Sequence, residues 1–242
     1  MMHAFKKAAA RGHEQSAFSF LGAIENERPD VKSKLVALSS HHGLAQVAMT
    51  QDEVFKGPAE RISIDAFEEE IERQQTLAKA GLPVPSVTFV GKDTVFFGMK
   101  RMPGVELASV FDTLTEQEKR SIAKEVATFV VGMALALPQK DGQYARHEDL
   151  HMGNILIDPA TKKLTAVIDF GQVSYRSKLM LAHGLGGFNQ SGDPFFKMVE
   201  QEYKQVDGAL GNNIGPAVHH AFSVLKSLAK STFSSPTKER AP

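Results

Sequence analysis

Cysteine and tryptophan are both missing from this 242-residue chain, tyrosine occurs three times, and 28 basic residues face 28 acidic ones. Each shortage removes a class of function. Without cysteine there is neither a disulfide framework nor a thiolate nucleophile. A formal net charge of zero leaves no overall electrostatic footprint for nucleic acid, so any partner is chosen by local features. No apolar run is long enough to span a bilayer, and no internal repeat is visible. What is there, 42% hydrophobic and 23% charged residues, is enough to bury a sizeable core in a soluble globular protein.

Chemistry-bearing residues are concentrated in two short stretches. His147-Glu148-Asp149-Leu150-His151-Met152-Gly153-Asn154 has the spacing H-x-D-x-x-x-x-N, and Ile168-Asp169-Phe170-Gly171 comes after it. In the kinase signature the first Asp accepts or orients the proton of an acceptor hydroxyl. The Asn holds Mg²⁺, and the Asp of D-F-G holds Mg²⁺ on the nucleotide phosphates. Asp149, Asn154 and Asp169 stand at those positions and point to a phosphotransferase. A hard cation that keeps several waters takes only one or two carboxylates or amides from the protein, which two short loops can supply. Residues Asn154 to Asp158 and Leu164 to Ile168 read as strands around a turn at 159–163, a hairpin that brings Asn154 and Asp169 to one end.

Phosphoryl transfer on this plan also needs a strand lysine and a glutamate on the following helix. Leu44 to Thr50 and Glu53 to Lys56 read as strands joined at Gln51-Asp52, which puts Lys56 near a strand end as the phosphate-contacting cation. The next helix opens with Asp65 as N-cap, carries Phe67, Ile71 and Leu77, and stops at Gly81 with Pro83 and Pro85 beyond. One of Glu68, Glu69 and Glu70 is the partner of Lys56, and the other two are a solvated first turn favoured by the helix dipole. Farther on, Thr115-x-x-Glu118 signals a capping box before a helix whose Ile122, Val126, Phe129, Val130 and Met133 form a core stripe. The phosphate-covering loop is glycine-poor. Between Ser39 and Val47, Gly43 alone offers a close backbone approach to phosphate, while His41 and His42 read as exposed loop residues.

The run His147 to Asn154 is similar to the H-G-D-L-H-x-x-N loop of the aminoglycoside-phosphotransferase branch of the protein-kinase-like superfamily. Glu148 replaces that branch's Gly, and His151 keeps its His. Glu70 through Pro85 resembles the E-x-x-x-x-x-x-L-x-x-x-G-[LI]-P-V-P run of aminoglycoside and choline kinases, which assigns the partner of Lys56 to Glu70. Phe97 to Gly104 resembles the branch's hinge, implying that the backbone of Lys100 to Met102 binds adenine. Together these imply an α+β, two-lobed protein-kinase-like fold. A small β-sheet lobe with its helix would occupy residues 35–102 and a reduced helical lobe 103–226, between a flexible leader (1–34) and tail (227–242). The resemblance implies ATP and Mg²⁺ as cofactors. Gly43, Lys56, Lys100, Met102, Asn154 and Asp169 would bind the nucleotide, Asn154 and Asp169 the metal, and Asp149, Lys56 and Glu70 would form the catalytic set.

Substrate class is read from the chain beyond Gly171. Little of it remains, no A-P-E segment appears, and only Asp193, Glu200, Glu202 and Asp207 are acidic between Gly171 and Gly208. A large helical subdomain enclosing a small polycation does not fit there. The N-terminus has no acidic residue before Glu14, no apolar signal core and no cleavage site, and resembles the uncleaved leader of type III effectors. A minimal kinase of this kind is similar to the HopBF family of bacterial type III effector kinases. That resemblance implies a Ser/Thr protein kinase delivered to the host cytoplasm, which phosphorylates the host ninety-kilodalton heat-shock chaperone and so suppresses immunity. Two other readings stand beside it: a small-molecule kinase of the aminoglycoside or choline type, and a silent kinase-like binding module. The presence of all four of Lys56, Asp149, Asn154 and Asp169 speaks against the silent module. Ser174, Tyr175 and Ser177 are candidates for autophosphorylation but read better as solvated loop hydroxyls, because no Arg immediately precedes Asp149 to receive a phosphate.

Overall fold

The computed structural model describes residues 13–31, 37–39, 45–58, 63–92, 96–181, 183 and 193–210. The chain divides into two compact units, Met1–Gln75 with Pro85–Met102 and Thr76–Val84 with Pro103–Pro242.

The first unit is built on an antiparallel sheet of β1 (Ala37–Ser39), β2 (Val47–Met49), β3 (Glu53–Lys56), β4 (Val87–Val90) and β5 (Phe97–Lys100), in the order β1-β2-β3-β5-β4. Strand β2 stops short of Thr50 because that residue makes the turn. Its hydroxyl accepts the N–H groups of Asp52 at 3.2 Å and Glu53 at 2.9 Å, and its own N–H donates to the Glu53 carbonyl at 2.8 Å. Leu44, expected to open this strand, lies outside the described residues.

Two helices, α1 (His13–Glu27) and α2 (Ile64–Lys79), cover the sheet, and strand alternation decides which residues each meets. Phe55 joins Phe20, Ile24, Val31, Ala48 and Phe96 in one cluster, whereas Phe97 joins Phe67 and Ile71 in another. Gly98 lies on the Phe55 side, where an added Cβ would meet that ring at 3.0 Å. Of the leader expected to be flexible over residues 1–34, residues 1–12 and 32–34 lie outside the described residues, whereas Phe20 to Val31 pack on this sheet. Phe20, Ile24 and Val31 are 5%, 0% and 2% exposed, and Phe20 meets Phe96 edge-on with ring centroids 6.4 Å apart. Arg28 then pins the segment, with Nη2 at 2.9 Å from Glu53 Oε2 and the guanidinium 5.5 Å from the Phe89 ring centroid.

Helix α2 begins one residue after Ser63, not after Asp65. The Ser63 hydroxyl accepts the Ala66 N–H at 3.2 Å and its carbonyl accepts the Phe67 N–H at 3.1 Å, so Asp65 falls within the first turn. Its other end is a Schellman motif. Gly81 at φ +80° donates to the Ala78 carbonyl, and Leu82 donates to that of Leu77, with both leucines buried together.

The second unit contains β6 (Val105–Glu106), α3 (Leu107–Val110), α4 (Glu116–Ala136), β7 (Tyr144–His147), β8 (Ile155–Ile157), β9 (Leu164–Val167), β10 (Val173–Arg176) and α5 (Pro194–Leu210). Strands β6-β8-β9 form one small sheet and β7-β10 another. Thr115 and Glu118 form the expected capping box, and Ile122, Val126, Phe129, Val130 and Met133 are all buried. The same helix also buries Glu125, which accepts the Leu164 N–H at 2.7 Å and pairs with Lys163 at 2.9 Å, tying α4 to the start of β9. Helix α5 closes the core with Phe195, Phe196 and Val199, Phe195 meeting Phe111 edge-on at 5.6 Å.

Gly104, just before β6, has φ +115°, and a Cβ there would stand 2.6 Å from the Ile157 carbonyl oxygen and 2.7 Å from Thr165 Oγ1. That hydroxyl already donates to the Pro103 carbonyl at 2.7 Å. Gly104→Ala is therefore expected to destabilise the protein by about 1–3 kcal/mol, seen as a lower urea midpoint at unchanged slope.

Candidate active site

In the first unit, Lys56 is the last residue of β3 and lies opposite Phe97 of β5, on the face that α2 covers. Glu70, one turn beyond Phe67 on α2, meets it there. Lys56 Nζ stands 2.6 Å from Glu70 Oε1, with the two side chains 10% and 1% exposed. Such a pair holds the ammonium in place against a large desolvation cost. Of the three candidate glutamates, the helix turns Glu70 inward, while Glu68 and Glu69 are exposed and Glu69 bonds Arg73 at 3.0 Å.

The hinge run leaves β5 with two of its N–H groups in use. Lys100 donates to the Ser86 carbonyl at 2.9 Å and Arg101 to that of Asp52 at 2.7 Å. Met102 N–H has no acceptor among the described residues. Gln74 Nε2 supports the approach to the hinge by donating to the Pro85 carbonyl at 3.0 Å. Gly43, expected on the phosphates, and His41 and His42 beside it lie outside the described residues.

In the second unit, β7 ends at His147, whose ring is 2% exposed and bonded on both nitrogens. Nε2 lies 3.1 Å from the Ile168 carbonyl and Nδ1 accepts the Asp149 N–H at 3.2 Å, an arrangement that requires the neutral Nε2–H tautomer. Burial holds the His147 pKa below its usual value, opposed by the bond to Ile168 and by the charges of Asp169 and Asp149. The loop then closes in a 3₁₀ turn, Met152–Asn154, where the expected strand would already have begun. His151 Nδ1 caps it by accepting the Gly153 N–H at 3.0 Å, and His151 Nε2 lies 3.8 Å from Asp149 Oδ2.

Asn154 is the loop's anchor. Its Nδ2 donates to the Asp149 carbonyl at 2.8 Å, its N–H to the His151 carbonyl at 2.9 Å, and its carbonyl accepts the Ile168 N–H at 3.0 Å. The last bond sets Asn154 beside the residue preceding Asp169, as the hairpin spacing anticipated. Phe170 is fully buried between His147 and Phe129, with centroids at 5.2 and 6.3 Å. Asp169, by contrast, has φ +65°, a left-handed conformation that a non-glycine residue adopts only when its surroundings impose it. The backbone thereby turns Phe170 into the core and keeps a carboxylate at the Asn154 end of the hairpin.

The donor set suits a hard divalent cation shared with phosphate. Asn154 Oδ1, with no hydrogen-bond donor among the described residues, and the Asp169 carboxylate would offer such a cation hard oxygen atoms from adjoining backbone. Among the described residues no group of three or more His, Asp or Glu could hold a metal by itself.

Glu148 carries no sequence signal for a role of its own beyond its departure from glycine. The structure puts its carboxylate among Ser174, Arg176 and Arg146. Burial lowers the Arg146 pKa from its ordinary value, and the Glu148 charge opposes that shift.

No protein-family model matches the chain, and neither does any curated protein. Solved structures do match. The GDP complex of wild-type aminoglycoside 2'-phosphotransferase-IIIa aligns with TM-score 0.60 at 14% identity, over 90% of this chain and 99% of that one. ADP-bound aminoglycoside phosphotransferase APH(2'')-Ib aligns with TM-score 0.58 at 17% identity, over 90% and 92%. APH(3'')-Id from Streptomyces rimosus aligns with TM-score 0.56 at 16% identity, over 87% and 97%. The chain therefore has the mixed α/β, kinase-like fold of these phosphotransferases; at such identities the likeness is one of fold.

Two outcomes test the geometry. Glu70→Ala removes the carboxylate 2.6 Å from the buried Lys56 ammonium and should cost about 3–5 kcal/mol, while Lys56→Met combined with Glu70→Leu should recover most of it, both read by urea unfolding. For His147 the folded pKa lies below the unfolded 6.5, so the unfolded state binds the extra proton. Its contribution to stability is complete above pH 6.5 and is lost as the pH falls below that value. The melting temperature of His147→Gln should accordingly fall less steeply between about pH 7 and 5 than that of the wild type.

Proposed function

We propose that this protein is an ATP-dependent phosphotransferase that moves the γ-phosphoryl group to a hydroxyl. Asn154 is the observation that carries the reading. Its amide nitrogen is committed to the Asp149 carbonyl, which leaves the amide oxygen as the group that would serve as a hard ligand. In one short hairpin the same residue connects the candidate base Asp149 to the strand end bearing Asp169. Lys56, held by Glu70, supplies the cation for the nucleotide phosphates, and Met102 N–H supplies a donor to adenine. Mg²⁺ on Asn154 and Asp169 would neutralise phosphate charge. Asp149, half-exposed and held at its backbone by Asn154 and His147, orients the acceptor hydroxyl and takes its proton. Phosphoryl transfer needs little covalent chemistry from the protein, so positioning and charge neutralisation are sufficient.

For the acceptor, we propose a Ser or Thr of a protein, with the host ninety-kilodalton heat-shock chaperone reached by type III delivery as the specific case. The acidic groups after Gly171 support this reading. Asp193 caps α5 by accepting the Phe195 N–H at 2.8 Å, Glu200 lies 3.2 Å from Lys204, and Glu202 is buried, so these three are not arrayed to grip a polycation. A second reading, a small-molecule kinase, is favoured by fold neighbours that are aminoglycoside phosphotransferases matched over 90% or more of their length.

Labelled ATP with Mg²⁺, given with the wild type or Asp169→Ala to the purified chaperone, a eukaryotic lysate, kanamycin or choline, separates the two. Label should appear on protein, at a rate about a thousandfold above Asp169→Ala. Label on kanamycin or choline instead would establish the second reading, and nucleotide binding without transfer to any of them would leave a silent binding module.

A further inference from the structure

The chain after D-F-G is tied down by a carboxylate. Glu148 Oε1 accepts from the Ser174 hydroxyl and from Arg176 Nε, the latter at 3.0 Å, and Oε2 lies 3.5 Å from Arg146 Nη2. Arg146 is itself 8% exposed and reaches farther along the same segment, its Nη1 donating to the carbonyls of Met180 at 2.9 Å and His183 at 2.7 Å. The backbone repeats the attachment. Glu148 N–H donates to the Gln172 carbonyl at 2.9 Å, and β10 pairs with β7 from Val173 opposite His147 to Arg176 opposite Tyr144. From α5, the Tyr203 hydroxyl holds the Lys178 carbonyl at 2.9 Å.

Segments of this kind are ordered in many switches by a phosphate that recruits arginines. Here the arginines are present and a side chain of the protein supplies the negative charge between them. Glu148 is also directly bonded in sequence to Asp149, so a shift at its carboxylate acts on the backbone that carries the candidate base.

We infer that Glu148 is a positioning residue whose carboxylate clamps residues 172–183 to the strand leading into Asp149, and that negative charge placed at Ser174 opens the clamp and slows turnover. The effect on turnover rests on the phosphotransferase reading, whereas the clamp does not. Ser174 Oγ is in contact with Glu148 Oε1, so a carboxylate or phosphate there puts two like charges at close range in a partly buried place. Removing the hydroxyl, by contrast, leaves Arg176 and Arg146 on Glu148.

The test uses the full-length chain as Ser174→Ala, Ser174→Asp, Glu148→Gln, and Ser174→Asp with Glu148→Gln. Amide hydrogen exchange is followed over residues 172–183, and ADP release from Mg·ATP is measured without an acceptor. Ser174→Asp should speed exchange of that segment and lower kcat, each by about tenfold, with little change in the KM for ATP. Ser174→Ala should move either quantity by less than about threefold. In the Glu148→Gln background the aspartate should cost less than about threefold, because its repelling partner has lost its charge. That dependence on a second charge is something a merely structural role for Ser174 would not show. Equal effects of Ser174→Asp in both backgrounds, or effects no larger than those of Ser174→Ala, overturn the inference. Exchange across α4 reports whether a variant is folded. Should Ser174→Asp disturb α4 as well, Arg176→Gln takes its place, with faster exchange confined to 172–183 as the supporting result and no change as the overturning one. If the wild type releases no more ADP than Asp169→Ala, the phosphotransferase reading fails and the link to turnover falls with it; the exchange data still decide the clamp.

Discussion

His147 is buried with one ring nitrogen given to the Ile168 carbonyl and the other to the Asp149 N–H, and the arrangement of the two loops that carry Asp149 and Asp169 depends on that pair of hydrogen bonds. The imidazole spans the space between the loop that ends at Asn154 and the strand end that bears Asp169. A protonated ring would have to give up its contact with Asp149. Phe170 packs edge-on to the same ring, so the apolar anchor of one loop and the polar anchor of the other share a single side chain. Asp169 takes up a left-handed backbone to make this possible, placing the cost of the arrangement at a residue whose carboxylate is then held in position.

The two units solve the same electrostatic problem differently. In the first, an ammonium in a buried place is paired with the Glu70 carboxylate at 2.6 Å. In the second, carboxylates and an amide are fixed mainly through backbone bonds around them, and their side-chain oxygens remain at the end of a hairpin. A cation and a set of hard oxygen ligands are the complementary requirements of a metal-bound polyphosphate. The phosphotransferase proposal thus rests on what each unit's own residues offer, beside a likeness of fold to aminoglycoside phosphotransferases at 14–17% identity.

Local spacing made much of the second unit legible. The capping box at Thr115, the stripe from Ile122 to Met133 and the hairpin between Asn154 and Asp169 each depend on residues a few positions apart, where periodicity and turn chemistry are informative. Features invisible in sequence depend on contacts between distant segments. Nothing near Phe20 indicates that Phe55 and Phe96 wait for it, so a basic, Ala- and Ser-containing start reads as a flexible leader. Asp65 looks as good a cap as Ser63 because both are cap-forming residues and only the observed bond to Ala66 separates them. Glu148 is visible as an oddity beside Asp149, but its three partners come from β7 and β10, and their pairing brings Ser174 opposite Arg146.

The packing of α1 has a mechanical consequence for a protein proposed to travel. Any machine that draws this helix through a narrow channel must extract Phe20, Ile24 and Val31 from an aromatic cluster, and break the clasp of Arg28 on Glu53. Each of those apolar side chains resists exposure to water by about 1.5–3 kcal/mol. The same helix is thus a latch on the sheet carrying Lys56, and drawing it away would uncover Phe55, the neighbour of Lys56 on the same strand.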